Sequence, residues 1–334
     1  SACVGAGAAG ARVMTCTSSA GLALMWEITY IAASMRLPMV MMVANRALSG
    51  PINIHCDHAD SMGTRDNGWI QIYSENPQEA YDNMIQAVRI AEHADVTLPV
   101  MVMQDGFITS HSVERVEVFD DAAVSGFVGP YAANFQLLGA SRPLTFGALD
   151  FYDYYFEHKR QQVEAFSHAT EAVLEVAADF NCRFGRDYGL FQAYRLDDAE
   201  VAVVVLSSTA GTAKVVVDDL RAQGIRAGLL KPRVFRPFPA AEIVRALSHV
   251  KAIAVMDRST SFGSMMGAGP LFLETAAAFH VLGRAPQIPM VGYVFGLGGR
   301  DISPPDLEGV YHDLLAVADS GDVGDPVRYL GVRG

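Results

Sequence analysis

Pro38-Met39-Val40-Met41-Met42-Val43-Ala44 runs directly into Asn45-Arg46-Ala47-Leu48-Ser49-Gly50-Pro51-Ile52-Asn53-Ile54-His55-Cys56-Asp57-His58-Ala59-Asp60-Ser61-Met62-Gly63-Thr64-Arg65-Asp66-Asn67-Gly68. The first part is apolar without alternation, as a strand buried on both faces of a parallel sheet requires. The second part is a long polar connection leaving the strand end, where open α/β sheets place ligand sites. Loops of that length inside compact domains are functional or disordered, and Gly50, Pro51, His55 and the neighbouring aliphatics argue against disorder.

The same logic extends in both directions. Val13 to Thr17 reads as a strand, then Ser18-Ser19-Ala20-Gly21 as a turn and Leu22 to Met35 as a helix. Trp69 to Ser74 and Pro99 to Met103 read as strands on either side of a helix from Pro77 to Ala94, where proline suits the first turn. Met39, Met41, Met42, Met101 and Met103 read as fillers of core gaps. The segment from Gly106 to Asp150 has no periodicity and reads as irregular surface connection, and a long helix from Asp153 to Phe180 bridges to a second unit. That unit begins with the strand Val201 to Leu206, the turn Ser207-Ser208-Thr209-Ala210-Gly211 and the helix Thr212 to Gln223. Further strands are expected at Arg226 to Leu230, Ala252 to Met256 and Pro289 to Phe295, with helices at Ala240 to His249, Leu271 to Phe279 and Pro305 to Ala316. Two sequential α/β domains are the expected architecture. The length of 334 residues agrees with it.

Composition excludes several classes. The net charge is -12, and lysine occurs only at positions Lys159, Lys214, Lys231 and Lys251, so a nucleic-acid partner is not expected. The 4 cysteines, Cys3, Cys16, Cys56 and Cys182, include no C-x-x-C pair, which removes zinc-ribbon and ferredoxin-type cluster scaffolds from this chain. Free thiols and the lack of an apolar run long enough to span a bilayer lead to the expectation of a cytoplasmic protein without membrane attachment. No P-loop, no G-x-S-x-G elbow and no G-x-G-x-x-G after a first strand is present.

Candidate chemistry concentrates in the long connection. Arg46 at the strand end reads either as a surface ion pair or as a clamp that grips a carboxylate with parallel hydrogen bonds. His55, Asp57, His58 and Asp60 suggest metal ligands at first sight, but their spacing matches no standard zinc or di-iron pattern. A loop that holds its own turns through Asp and Asn side chains is the preferred reading, and no metal site is assigned. Ser18, Ser19 and Gly21 occupy a strand-to-helix turn whose amides can face an anion, although such turns need small residues in any α/β fold. The glycine-dense loop Ser261 to Pro270 reads as a packing turn, and Tyr293 to Asp301 as a strand ending in a flexible loop.

Taken together, T-x-T-S-S-x-G-L-A-L-M (Thr15 to Met25), N-R-A-L-S-G-P-I-N-I-H-x-D-H-x-D-S-M (Asn45 to Met62), R-D-x-G-W-I-Q-I-Y (Arg65 to Tyr73), E-N-x-Q-E-A-Y-D-N (Glu75 to Asn83), D-G-F-x-x-S-H (Asp105 to His111) and G-L-G-G-R-D (Gly296 to Asp301) give the whole chain a resemblance. It resembles the alpha subunits of the 2-oxoacid:ferredoxin oxidoreductase family, pyruvate:ferredoxin oxidoreductases in particular. The resemblance implies a pyrimidine-binding thiamine diphosphate domain over 1–170, followed by a transketolase C-terminal-like domain over 195–325. It implies oxidative decarboxylation of pyruvate, or of a related 2-oxoacid, with ferredoxin and coenzyme A. It further implies that Arg46 contacts the substrate carboxylate, that Ser18, Ser19 and Gly21 lie at the cofactor, and that the beta subunit holds the diphosphate and Mg²⁺. Iron-sulfur clusters are expected on other subunits, with gamma and delta subunits as further partners. The family's pyrimidine-activating glutamate and a substrate-touching threonine fall ahead of the counterpart of Ser1, so a missing front segment is expected. Ala20 departs from the polar residue expected after Ser19. A non-catalytic chain that completes a partner's thiamine site is the competing reading.

Overall fold

The computed structural model describes residues 1–139, 143–283 and 287–333. Among them the strands are β1 Val13–Thr17, β2 Met39–Asn45, β3 Ile70–Tyr73, β4 Val100–Asp105, β5 Phe191–Tyr194, β6 Val201–Val205, β7 Ala227–Pro232, β8 Val234–Arg236, β9 Ala252–Asp257, β10 Met290–Val294 and β11 Val327–Tyr329. They form two sheets, ordered β1-β2-β4-β3-β8 and β11-β10-β9-β6-β7-β5. Every pairing is parallel except β3 with β8 and β5 with β7. The apolar runs became the central strands because helices cover both faces, leaving side chains such as Val43, Val102, Val203 and Val255 without exposed surface.

The helices follow local signals. Helix Pro77–Glu92 starts at Asn76, whose side chain accepts the Glu79 N–H, with Pro77 in the first turn. The long helix Tyr155–Phe184 ends on Gly185 in the left-handed conformation, φ 69°. Its inward stripe of Ala169, Val173, Val176 and Phe180 packs on Ile85, Ile90 and Val102. Helix Pro304–Ser320 opens with a reciprocal box between Ser303 and Asp306. The methionines of β2 and β4 fill the core: Met39, Met41, Met101 and Met103 are all buried.

Three differences from the sequence reading matter. The expected helix from Leu22 to Met35 is two helices, Ala20–Leu24 and Trp26–Ser34, broken at Met25. The described part of the segment from Gly106 to Asp150, residues 140–142 lying outside it, is mostly irregular but carries helix Asp121–Val128, capped by the Asp120 side chain. The two halves are also not strictly sequential. After β7 the chain crosses over, and β8 pairs with β3, Gln71 opposite Arg236 and Ile72 opposite Val234.

Buried polar contacts reinforce that crossing. Lys231 is 2% exposed and bonds Glu75 at 2.8 Å and Glu79, while Lys214 reaches Glu75 at 2.7 Å. Arg233 donates to Asn83 at 2.7 Å and to Gln86 at 3.0 Å. Charges buried to this degree persist only when paired, so these contacts tie the two sheets in one arrangement.

Candidate active site

The C-terminal ends of β1, β2 and β4 lie side by side, and their turns are stitched together by hydrogen bonds. Ser18 Oγ donates to the Ala44 carbonyl at 2.7 Å, and Gly106 N–H donates to the Asn45 carbonyl at 3.0 Å. Ser19 Oγ donates to the Ala47 carbonyl, and Ala47 N–H donates to the His55 carbonyl at 3.0 Å. Arg46 thus sits on a backbone fixed on both sides.

Its side chain is the opposite. Among the described residues the Arg46 guanidinium has no hydrogen-bond or ion-pair partner, and its Nε is buried without one. A buried, unpartnered N–H is costly unless a ligand group completes it. Among the described residues Arg46 makes no ion pair, and Arg258, whose Nε and Nη1 are likewise buried without a partner, shares this condition.

The four residues first weighed as metal ligands point four ways. Asp60 accepts from the Ser19 and Arg46 amides on one oxygen, at 2.9 and 3.1 Å, and from Asn45 Nδ2 and the Ser61 amide on the other, at 2.8 and 2.7 Å. Burial pushes its carboxyl up, and these four donors pull back against that rise without cancelling it. His58 Nε2 lies 2.7 Å from Asp105 Oδ1. Asp57 accepts the Ala59 and Gly298 amides at 2.6 and 3.4 Å, and the His55 ring packs on Phe107 at 5.0 Å. The loop holds its own turns through its acidic side chains.

Cys56, His58 and Asp105 do come together, with one ligand-capable atom of each within 4.8 Å of the others. Their chemistry there is that of a hydrogen-bonded network. Asp105 takes His58 on one oxygen and the Ser208 hydroxyl and amide on the other, and the Arg258 charge lies nearby. Burial raises the Asp105 carboxyl, but His58, Arg258 and Ser208 outweigh it and hold the group below the usual carboxylate range. Burial also pushes the Cys56 thiol up.

The turn Ser18-Ser19-Ala20-Gly21 has little amide left for an anion. Ser19 N–H is held by Asp60, and the Gly21 and Leu22 amides bond back to Ser18 and Ser19 carbonyls. Gly21 itself is exposed, and a side-chain carbon there would meet Thr17 Oγ1 at 2.6 Å. The loop Asn53 to His58 lies against the second sheet: Asn53 Nδ2 donates to the Gly298 carbonyl at 3.1 Å and His58 N–H to the Arg258 carbonyl at 2.9 Å. A cavity of about 830 Å³ opens elsewhere, between Trp26, Tyr30, Phe146 and Lys159, and includes none of Ser18, Ser19, Gly21 or Arg46.

Sequence reasoning did not single out Asp105 or Arg258 as parts of this junction. The available signal was a charged residue ending an otherwise apolar strand, as in Met103-Gln104-Asp105 and Met256-Asp257-Arg258. Such a residue sits at the sheet edge where ligands and loops meet.

Fold and sequence define a class: two parallel-dominated α/β sheets of the kind found in thiamine diphosphate-binding oxidoreductases. Residues 1–178 match the family described as pyruvate flavodoxin/ferredoxin oxidoreductase, thiamine diphosphate-binding, and residues 199–307 match pyruvate:ferredoxin oxidoreductase core domain II. The chain is 51% identical over 333 residues to pyruvate synthase subunit PorA of Thermotoga maritima, covering 100% of this chain and 83% of that protein. It is 44% identical to the PorA subunit of Methanocaldococcus jannaschii, again over 100% and 83%, and 39% identical to ketoisovalerate oxidoreductase subunit VorA of Pyrococcus abyssi, over 99% and 82%. Among solved structures, 2-oxoglutarate:ferredoxin oxidoreductase from Magnetococcus marinus shares the fold, with a TM-score of 0.64 at 17% identity over 94% of this chain and 55% of that one. The chain belongs to the pyruvate:ferredoxin oxidoreductase family, with the alpha subunits of pyruvate synthase.

Proposed function

We propose that this chain is the alpha subunit of an assembly that converts pyruvate, coenzyme A and oxidised ferredoxin to acetyl-CoA, CO₂ and reduced ferredoxin. The carrying observation is Arg46, a cation at the strand ends with a buried Nε that has no partner among the described residues. In this reading its guanidinium binds and orients the 2-oxoacid carboxylate, and the bonds around Ala44, Asn45 and Ala47 keep it from drifting. Bound thiamine diphosphate supplies the nucleophilic carbon and electron sink that a 2-oxoacid needs to lose CO₂.

Residues 1–170 form the pyrimidine side of the site in this reading, with Ser18, Ser19 and Gly21 as part of its wall, and 195–325 the transketolase C-terminal-like domain. The exposed Gly21 backbone leaves room for a flat ring to approach. The beta subunit provides the diphosphate and Mg²⁺ contacts, and gamma and delta subunits complete the assembly. The clusters that pass electrons to ferredoxin lie on partner subunits. The scatter of Cys3, Cys16, Cys56 and Cys182 over buried and exposed positions supports that assignment. No helix among the described residues is long and apolar enough to cross a membrane, in keeping with a cytoplasmic site of action.

The test is Arg46→Ala in the assembled enzyme. The pyruvate KM should rise about 30-fold or more, the scale expected for losing a charge-assisted contact. An unchanged KM overturns the assignment. Since one relative is named for ketoisovalerate, the wild-type enzyme is assayed with both acids. A higher kcat/KM for the branched acid would replace pyruvate as the substrate.

A further inference from the structure

The Arg46 clamp needs a guanidinium that is unpaired and carried on a fixed backbone, and one side chain bears on both conditions. Asp60, 2% exposed, gathers four N–H donors from three separate pieces of chain: the turn after β1, the end of β2 and its own loop. One of its oxygens accepts both the Ser19 and the Arg46 amides. It therefore fixes the backbone of Arg46 without pairing with the guanidinium, which keeps its charge free for an incoming anion. The same oxygen helps hold Ser19 at φ 49°, ψ −124°, a conformation few side-chain-bearing residues adopt.

We propose that Asp60 is the positioning residue of the carboxylate clamp, an inference that rests on the reading of Arg46 as the substrate's partner. All four of its contacts are N–H donors, so the site calls for a group that only accepts. An asparagine there would turn an NH₂ toward two N–H groups whichever way it flipped. The loss falls on the Ser19 and Arg46 amides or on Asn45 and Ser61, and either way the Arg46 platform loosens.

The experiment is a double-mutant cycle on the assembled enzyme, reading pyruvate KM and kcat separately. Asp60→Asn should raise KM about five- to tenfold, the scale of a lost charge-assisted hydrogen bond, with a smaller change in kcat. In an Arg46→Ala background the same substitution should add no further rise in KM, because its effect passes through Arg46. A purely structural role predicts the full rise in both backgrounds, and that result overturns the proposal, as does an Asp60→Asn enzyme with wild-type KM. If Arg46→Ala alone leaves KM unchanged, it is the reading of Arg46 that falls. Should Asp60→Asn fail to assemble, Asn45→Ala runs through the same cycle, since it takes away the side-chain donor that holds the Asp60 carboxylate. The expected pattern is the same, and a wild-type KM or a full rise in both backgrounds overturns the proposal.

Discussion

After β1 the chain turns through Ser18-Ser19-Ala20-Gly21, and after β6 through Ser207-Ser208-Thr209-Ala210-Gly211. In each turn a serine takes a left-handed φ, 49° at Ser19 and 57° at Ser207, and in each an amide is held by a buried aspartate from a distant strand or loop. The surroundings of the two aspartates differ. Asp60 meets only neutral donors, and beside it Arg46 stays unpaired. Asp105 faces His58 and the charge of Arg258, whose Nη2 is tied to Thr209 at 2.7 Å. The two aspartates thus do different work: Asp60 ties loops of the first sheet to one another, and Asp105 joins the two sheets through His58 and Ser208, while Arg258, like Arg46, makes no ion pair among the described residues and keeps buried N–H groups without a partner.

The contrast breaks first at Asp105. Asp105→Ala takes the buried acceptor away from the His58 ring and from the Ser208 hydroxyl and amide, and should cost about 3–5 kcal/mol, the scale for removing one partner of a buried pair. Thermal unfolding reads this as a large fall in Tm, and a loss below about 1 kcal/mol would mean that the junction is not held by charge.

The next test is pH. The Asp105 carboxyl is held down in the folded state, so it contributes stability above its unfolded pKa of about 3.9 and loses it as pH falls below that value. Asp60, whose carboxyl is raised, works with the opposite sign, and the fold pays for its ionisation as pH climbs through its folded pKa. Asp105→Asn should therefore flatten the acid limb of the Tm profile, while an unaltered limb would assign acid unfolding to other carboxylates.

The smallest expected effect compares the strained serines themselves. Ser207 Oγ is buried with no partner among the described residues, so Ser207→Gly relieves the left-handed backbone without losing a bond and should stabilise by about 0.5–1 kcal/mol. Ser19→Gly gives up the bond to Ala47 and should show no such gain. Equal responses in chemical denaturation would show that the two turns are not differently loaded.

What could be read from the residues follows how each element is stabilised. β2, β4, β6 and β9 announce themselves because complete burial demands continuous apolar runs. β5, β8 and β11 do not: Phe-Gln-Ala-Tyr, Val-Phe-Arg and Val-Arg-Tyr are too short for periodicity, and their pairing depends on partners far along the chain. The place of Arg46 at the end of β2 was legible from the apolar run before it, and the preference for a self-bonded loop rested on spacing. The junction of His58, Asp105, Ser208 and Arg258 was not, because it joins residues up to 200 positions apart that carry no common pattern.

The crossing of β8 bears on how the molecule can be taken apart. A polypeptide ending between 178 and 199 would carry the whole parallel part of the first sheet, yet would leave Ile70–Tyr73, every residue of it buried in the intact chain, as a bare edge. An uncovered apolar edge strand recruits whatever backbone it meets. Proteolytic nicking or gene dissection at that point should therefore yield aggregates in place of a free thiamine-binding module, and the two matched regions are separate in sequence without being separable as bodies.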